Sequence, residues 1–419
     1  MSDRRILYLC HGHPALVPGG GETFAHDLFR AFRDAGDPAM FVGCVSRIHR
    51  APRADGAAFQ AVGRSGDEML LWVGGFDRFM FAPLDTGSFV SGLAELIRAF
   101  QPDIVHVHHF SLVGLEALAV IRRVRPEAAI VATLHDYHPI CANEGLMTTT
   151  AGALCRGASN DACHACFPEI APARFAARKL HLRTMLGRVD RFIAPSRFLR
   201  ERFVAWGLPA SAIDVIPNAV PASRPAPAGP ARPRDRFAFF GNLAPHKGVL
   251  SALSAIARIA PATGARLALH GDLVYRDPGF AAQFRLALDA AGVAARHDGP
   301  YARGDLPRLM AAADWVVVPS NWWENAPLVI LEAFRHRRPV ITADIGGMAE
   351  LVRDGVDGLT FRAGDAADLA RVMRRAATER GLWSRLARAI TPPPTLADTL
   401  AAHRALYDSL PAAPQREAA

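Results

Sequence analysis

What most constrains this chain is an alternation that occurs twice. Short apolar runs of four to eight residues, rich in Val, Ile, Leu and Phe, take turns with longer segments of helical period. Residues 5–10, 40–45, 103–109, 129–135 and 191–196 read as buried strands, with helices at 22–35 and 111–124. Strands apolar on both faces belong in a parallel sheet covered by helices. Residues 217–235, PNAVPASRPAPAGPARPRD, break the rhythm with proline and alanine and no apolar period, as a semi-rigid hinge linker does. The alternation then resumes, with strands at 237–241, 266–271, 315–319 and 339–344 and helices at 248–259, 280–291 and 365–375. The expected fold class is α/β: two doubly wound, Rossmann-like parallel-sheet domains facing each other across a hinge. The expected boundaries are 1–216, with a cysteine-rich insertion at 141–166, the linker 217–235, and a second α/β domain at 236–380. Residues 381–419 are expected to form helices packing back toward the first domain, with a disordered tail.

Composition agrees with two cores: 419 residues, 50% hydrophobic and 21% charged. The formal charge is +8, but the basic residues are scattered without a block of like charge. That pattern does not suggest nucleic acid and points weakly to acidic partners or a membrane surface. The opening MSDRRILYLC lacks a secretory apolar region, and no run approaches the roughly 18 apolar residues of a membrane span. A cytoplasmic protein is expected, at most peripheral at the inner face of a membrane.

Ligands of such sheets sit at the carboxyl ends of strands, where helix N-termini aim N–H groups at anions. Four turns have this character. In HGHPALVPGGGETF, Gly19, Gly20 and Gly21 let backbone approach a ligand and Glu22 opens the next helix, although any βα turn can use glycine. In FAFFGNLAPHKGVLSAL, Lys247 stands at a helix start. Only Lys179 and Lys247 of the 48 basic residues are lysine. A compact ammonium beside an already positive helix end favours a phosphate ligand over a merely solvated lysine. In SNWWENAPLVILEAF, Pro327 suits the first helical turn. Glu324 then falls in the loop, and Glu332 about a turn and a half into the helix. Ionised carboxylates accept two hydrogen bonds at once and suit vicinal sugar or ribose hydroxyls. The alternative is a helix-start charge and a solvated face, yet Glu332 is embedded in LVILEAF. The fourth turn, PVITADIGGMAELV, offers Gly346, Gly347 and Glu350.

These motifs, together with DIVHVHH, TLHD, FIAPSRFLRERF and VIPNAV, resemble the retaining GT-B glycosyltransferases of glycosyltransferase family four, also called glycosyl transferases group 1. The resemblance covers nearly the whole chain. It implies a nucleotide-diphosphate sugar donor (UDP- or GDP-sugar) and a glycan or lipid-linked acceptor in polysaccharide or glycoconjugate assembly, with no catalytic metal. Carried over, it implies that Glu332 holds the ribose hydroxyls and Glu324 those of the transferred sugar. Backbone amides from Asn325 through Ala326 and Pro327 to Leu328 would lie close to that sugar and the diphosphate. Lys247 would neutralise the leaving diphosphate, His135 would approach the sugar, and Gly20 and Gly21 would border the diphosphate and acceptor. Glu324, His135 and Lys247 are thus the expected catalytic residues. Where the family usually has an arginine after the strand glycine, Asn242 follows Gly241, so diphosphate binding leans harder on Lys247. The alternative is a non-catalytic subunit binding a nucleotide sugar or a partner protein; a sugar-nucleotide epimerase explains less of the motif set.

Other features stand apart. Cys141, Cys155, Cys163 and Cys166 have the spacing of a structural zinc site, with His138 or His164 able to replace a thiolate; disulfides or free thiols are the alternatives. Cys10 and Cys44 read as buried small hydrophobes. His106, His108 and His109 in VHVHH read as hydrogen-bonded core residues rather than ligands. Residues 174–188 are basic and amphipathic enough to lie on an anionic membrane or to pack on the domain core. Tyr301 could stack on a base or start a helix.

Overall fold

The computed structural model describes residues 4–16, 19–46, 58–84, 86–221, 233–273 and 277–411. Most of the expected linker (222–232) and the end of the tail (412–419) lie outside the described residues. The chain forms two compact units, Met1–Asn218 with Leu396–Ala419, and Ala219–Thr395.

The first unit runs β1 (Ile6–Cys10), α1 (Gly20–Asp34), β2 (Ala39–Val45), β3 (Phe59–Ala61), β4 (Glu68–Trp72) and the short pair β5 (Phe76–Asp77) and β6 (Ala82–Pro83). It continues with α2 (Thr86–Phe100), β7 (Ile104–His108), α3 (Glu116–Val124), β8 (Ala129–Thr133), α4 (Asn160–Cys166) and α5 (Pro172–Leu186). β9 (Arg191–Ala194), α6 (Arg197–Trp206) and β10 (Ile213–Val215) follow. Eight strands form one sheet in the order β10-β9-β8-β7-β1-β2-β4-β3, parallel except for β3. β1, β7 and β8 are buried along their whole length, which is why they read as continuous apolar runs. α1 covers the sheet with Phe24, Leu28, Phe29 and Phe32, spaced for one helical face. The helix expected from residue 111 starts only at Glu116, because Leu112 and Gly114 take positive φ (60° and 73°) and turn the chain first. Strand order reverses between β1 and β7, so the loops after β1, β7 and β8 emerge side by side at a switch point.

The second unit runs β11 (Arg236–Phe240), α7 (Val249–Thr263), β12 (Arg266–His270), α8 (Pro278–Ala291), β13 (Ala295–Gly299), α9 (Leu306–Ala312) and β14 (Trp315–Val318). Then come α10 (Leu328–Arg335), β15 (Val340–Ala343), α11 (Gly346–Leu351), β16 (Gly358–Phe361), α12 (Ala366–Thr378) and α13 (Leu382–Ala389). Its six strands, all parallel, take the order β13-β12-β11-β14-β15-β16, reversing between β11 and β14. Trp315, Phe237 and Ile256 sit in its core.

The C-terminal stretch divides. α13 stays with the second unit, where the Trp383 indole donates to the Asp314 carbonyl at 2.7 Å. α14 (Leu396–Asp408) belongs to the first, burying His403 and Tyr407 beside β7. The Tyr407 hydroxyl meets His106 Nδ1 at 2.7 Å, and Arg404 grips Asp37 at 2.5 and 3.0 Å.

The loop after β8 is held from two sides. Arg178 of α5, 4% exposed, donates to the carbonyls of Phe79, His138 and Pro139 at 2.6–2.8 Å. Within the loop, Asp136 accepts from His138 Nδ1 at 2.8 Å and from His109 Nε2 at 2.5 Å. Burial alone would lower the His138 pKa, but Asp136 outweighs it and raises it to about 9. A raised pKa contributes stability that is complete below the unfolded value of 6.5 and lost as pH rises through about 9. Thermal stability should therefore decline between these pH values, and His138→Asn should flatten that slope in a pH series of melting curves. Truncation after Thr395, which uncovers His106, should lower the melting midpoint of the first unit by several degrees, on the order of 2–4 °C per kcal/mol for a unit this size.

Candidate functional site

In the second unit the switch point brings together two loops that lie about 80 residues apart in sequence. The 3-10 turn Pro245–Lys247 follows β11 and the loop of Glu324 follows β14. Their approach depends on Gly248, at φ +69°, where a Cβ would stand 1.8 Å from the Pro319 carbonyl oxygen. Lys247 Nζ then meets Glu324 Oε1 at 2.6 Å. The Ser320 hydroxyl donates to the same oxygen at 2.8 Å, and the ammonium lies 5.2 Å from the Trp322 ring centroid. Glu324 is 6% exposed. Its burial favours the neutral acid, but Lys247 and the hydroxyl prevail and hold its pKa below the usual carboxyl range. Burial, reinforced by Lys247, lowers the His246 pKa to about 4, leaving that ring uncharged at neutral pH. A third loop closes on the same place. The Gly347 N–H donates to the Glu324 carbonyl at 2.8 Å, and any Cβ at Gly347 would fall 1.5 Å from the Asn325 carbonyl oxygen.

Asn325 is buried, Ala326 and Pro327 are half-buried, and Leu328 opens α10. Pro327, expected inside the first turn, instead caps it with extended backbone (ψ 120°). Glu332 is half-buried one turn along α10, close enough to Tyr301 for its charge to raise the phenol pKa after burial has done so. Tyr301 packs edge-on against Phe240 at 5.7 Å, and Phe240 stacks on His270 at 4.9 Å. Tyr301 and His270 also line a groove of about 940 Å³, together with Ala238 and Ala268. Asn242 is exposed beside the Lys247 turn, and Glu350 is exposed on α11.

In the first unit, the corresponding strand ends carry histidines. His11 follows β1, His109 follows β7 and His135 lies just beyond β8. Glu22 in the first turn of α1 accepts from His11 Nε2 at 2.9 Å. Burial would raise the Glu22 pKa, yet His11 holds it down to about 2, and Glu22 in turn raises His11 against its own burial. Gly21 lies against His135: a Cβ there would stand 3.4 Å from the ring Cγ, ordinary contact distance. Gly20 is exposed at the helix start. Burial lowers the His135 pKa to about 3, so this ring too is neutral.

His106 and His108 are fully buried and hydrogen-bonded, as core residues. Residues 174–188 lie largely in α5, which packs Phe175, Arg178, Leu182 and Leu186 on the unit.

The expected zinc site is not formed. None of the six cysteines is in a disulfide, and among the described residues no group of three potential metal ligands within 4.8 Å includes a cysteine. Local backbone bonds shape this region: Cys155 N–H donates to Met147 O, Cys163 N–H to Ser159 O, and the Cys155 thiol to Gly157 O at 3.1 Å. Two histidine–carboxylate trios do gather, His13/His26/Glu68 and His109/Asp136/His138. In each, the Nδ1 of the leading histidine accepts a backbone N–H, from Ala15 at 3.2 Å and Ser111 at 2.9 Å. Their protons therefore sit on Nε2, aimed at the carboxylate, which is hydrogen bonding and not metal ligation.

Sequence reasoning missed Ser320, the His11–Glu22 pair and the closeness of Gly347 to Asn325. Only the pair left a sequence trace, as an acidic residue in a glycine-rich helix start.

Residues 18–224 match Glycosyltransferase Family 4 and residues 234–379 match Glycosyl transferases group 1. The chain is 27% identical over 410 residues to glycogen synthase of Mycobacterium tuberculosis, covering 92% of this chain and 89% of that one. It is 34% identical over 189 residues to D-inositol 3-phosphate glycosyltransferase of Geodermatophilus obscurus, 42% of each chain. Among solved structures, sucrose-phosphate synthase of Thermosynechococcus elongatus superposes with a TM-score of 0.71 at 18% identity, covering 97% of this chain and 99% of that one. Anabaena Alr3699/HepE in complex with UDP and glucose gives 0.67 at 19% identity over 97% and 100%. With two doubly wound units and both halves matched, the chain belongs to the GT-B glycosyltransferases of family 4, the glycosyl transferases group 1.

Proposed function

We propose that this glycosyltransferase moves a sugar from a nucleotide-diphosphate sugar to a glycan or lipid-linked acceptor, with retention of anomeric configuration and without a catalytic metal. The observation that carries this reading is the Lys247–Glu324 pair at the switch point of the second unit. Leaving a carboxylate as buried as Glu324 without its partner costs about 3–5 kcal/mol, so a ligand that draws Lys247 away must also satisfy Glu324. A nucleotide sugar does: its diphosphate takes the ammonium, and its sugar hydroxyls donate to the carboxylate. Free phosphate or free sugar offers only half. Glu332 takes the ribose hydroxyls, Tyr301 borders the base, and amides near Asn325 to Leu328 face the sugar and diphosphate. The Alr3699/HepE complexes with UDP, glucose and UDP-glucose support a uridine donor as the first to test.

Cleavage of the anomeric C–O bond leaves negative charge on the departing phosphate oxygen, beside Lys247. The acceptor hydroxyl attacks from the same face, and its proton passes to that oxygen. No enzyme nucleophile is needed. In the first unit, His135 and the glycine-rich start of α1 take part as neutral hydrogen-bonding groups. A lipid-linked acceptor would suit the exposed Arg174, Leu180 and Arg183 of α5.

UDP-glucose should raise the melting midpoint more than equimolar UDP or glucose, and donor turnover should follow; if no sugar nucleotide stabilises the protein, the reading fails. Glu324→Ala and Lys247→Ala should each lower kcat/KM by about 10²–10³. Glu332→Ala should mainly raise the donor KM.

A further inference from the structure

We infer that His108 acts as a positioning residue that fixes the tautomer of His135, so that His135 presents an Nδ1–H donor beside Gly21. The inference rests on the proposed role of His135 for its functional meaning, but not for its chemistry. His108 Nδ1 and His135 Nε2 lie 3.0 Å apart, with the two rings stacked at 5.3 Å. Between two neutral imidazoles one proton must occupy that contact, and there are two ways to place it. If His135 donates, the His108 proton sits on Nε2. That nitrogen is fully buried, with no hydrogen-bond partner among the described residues, so an N–H would be orphaned there. If His108 donates, its Nε2 keeps only a lone pair, and the His135 proton moves to Nδ1. Buried orphan N–H groups are rarer than under-satisfied acceptors, which selects the second arrangement.

The surroundings do not reverse this choice. The titratable groups acting on His108 are His106, His135, His403 and His11, none of them a carboxylate that would draw the proton to Nε2. Burial keeps both rings neutral at physiological pH.

The consequence appears on the other edge of His135. A Cβ at Gly21 would stand 3.6 Å from His135 Nδ1 and 3.7 Å from His11 Cε1. Gly21 lies in the first turn of α1, where backbone N–H groups have no intrahelical acceptor. A side-chain donor and helix-start donors thus share one place, which suits a ligand oxygen, either a sugar hydroxyl accepting or a phosphate.

Long-range ¹H–¹⁵N correlation on histidine-labelled protein tests this directly, with His135→Gln identifying the signals. The wild type should show His135 with a protonated Nδ1 and a bare Nε2. His108→Asp, whose carboxylate can only accept, should move the proton to Nε2 or add a second one. His108→Asn, which keeps a donor where Nδ1 was, should retain the wild-type tautomer and transfer activity within about threefold, whereas Asp should lose tenfold or more in kcat. A wild-type His135 protonated at Nε2 overturns the inference, as does an Asp variant with an unchanged tautomer. Should the Asp variant fail to fold, the wild-type spectrum decides alone. If His135→Ala leaves transfer intact, the proposed role of His135 fails while the tautomer assignment stands.

Discussion

The second unit is organised around one ion pair. Lys247 and Glu324 come from loops that only the reversal of strand order places side by side, and Gly248 removes the side chain that would keep them apart. The Glu324 carboxylate would not be stable alone at this depth. The ammonium gives the carboxylate a reason to stay ionised, and Ser320 and the Trp322 ring occupy what the pair leaves over. A site built this way is selective without being shaped to any one substrate. On the proposed reading, a ligand carrying both negative charge and hydroxyls replaces the two contacts together.

The first unit solves a different problem with the same topology. Its three adjacent strand ends carry imidazoles instead of an ammonium, and burial keeps most of them uncharged. Charge there gathers in defined pairs, His11 with Glu22 and His138 with Asp136, while Arg178 holds the loop after β8 by its His138 carbonyl. Neutral rings provide hydrogen bonds of fixed direction, and direction is what the arrangement of His106, His108 and His135 controls. The return of α14 to cover His106 shows that the end of the chain belongs to this apparatus.

Much of the fold was legible because parallel strands are buried on both faces and therefore spell themselves as apolar runs; β1, β7, β8, β11 and β14 all stand within a residue or two of where the sequence puts them. The short β3, β5 and β6 were not, since two or three residues carry no period. Glu324 and Lys247 could be singled out by their chemistry, an acid beside an apolar run and a rare lysine. Their contact could not, because it arises from strand order. The cysteines mislead for a related reason: spacing along the chain permits a tetrahedral site, but in the loop and the short helix α4 that carry them no three potential ligands with a cysteine gather among the described residues. Metal-ligand spacing is necessary for such a site and insufficient for it.

The claim on which the account stands is that Glu324 reads the sugar and Lys247 the diphosphate of one ligand. Titration calorimetry of UDP-glucose and of UDP against wild type and Glu324→Gln tests it most directly. The account predicts that the substitution weakens UDP-glucose binding about tenfold or more while leaving UDP binding as strong or stronger, since the freed ammonium still meets the diphosphate. Equal weakening of both ligands, or of neither, would contradict it.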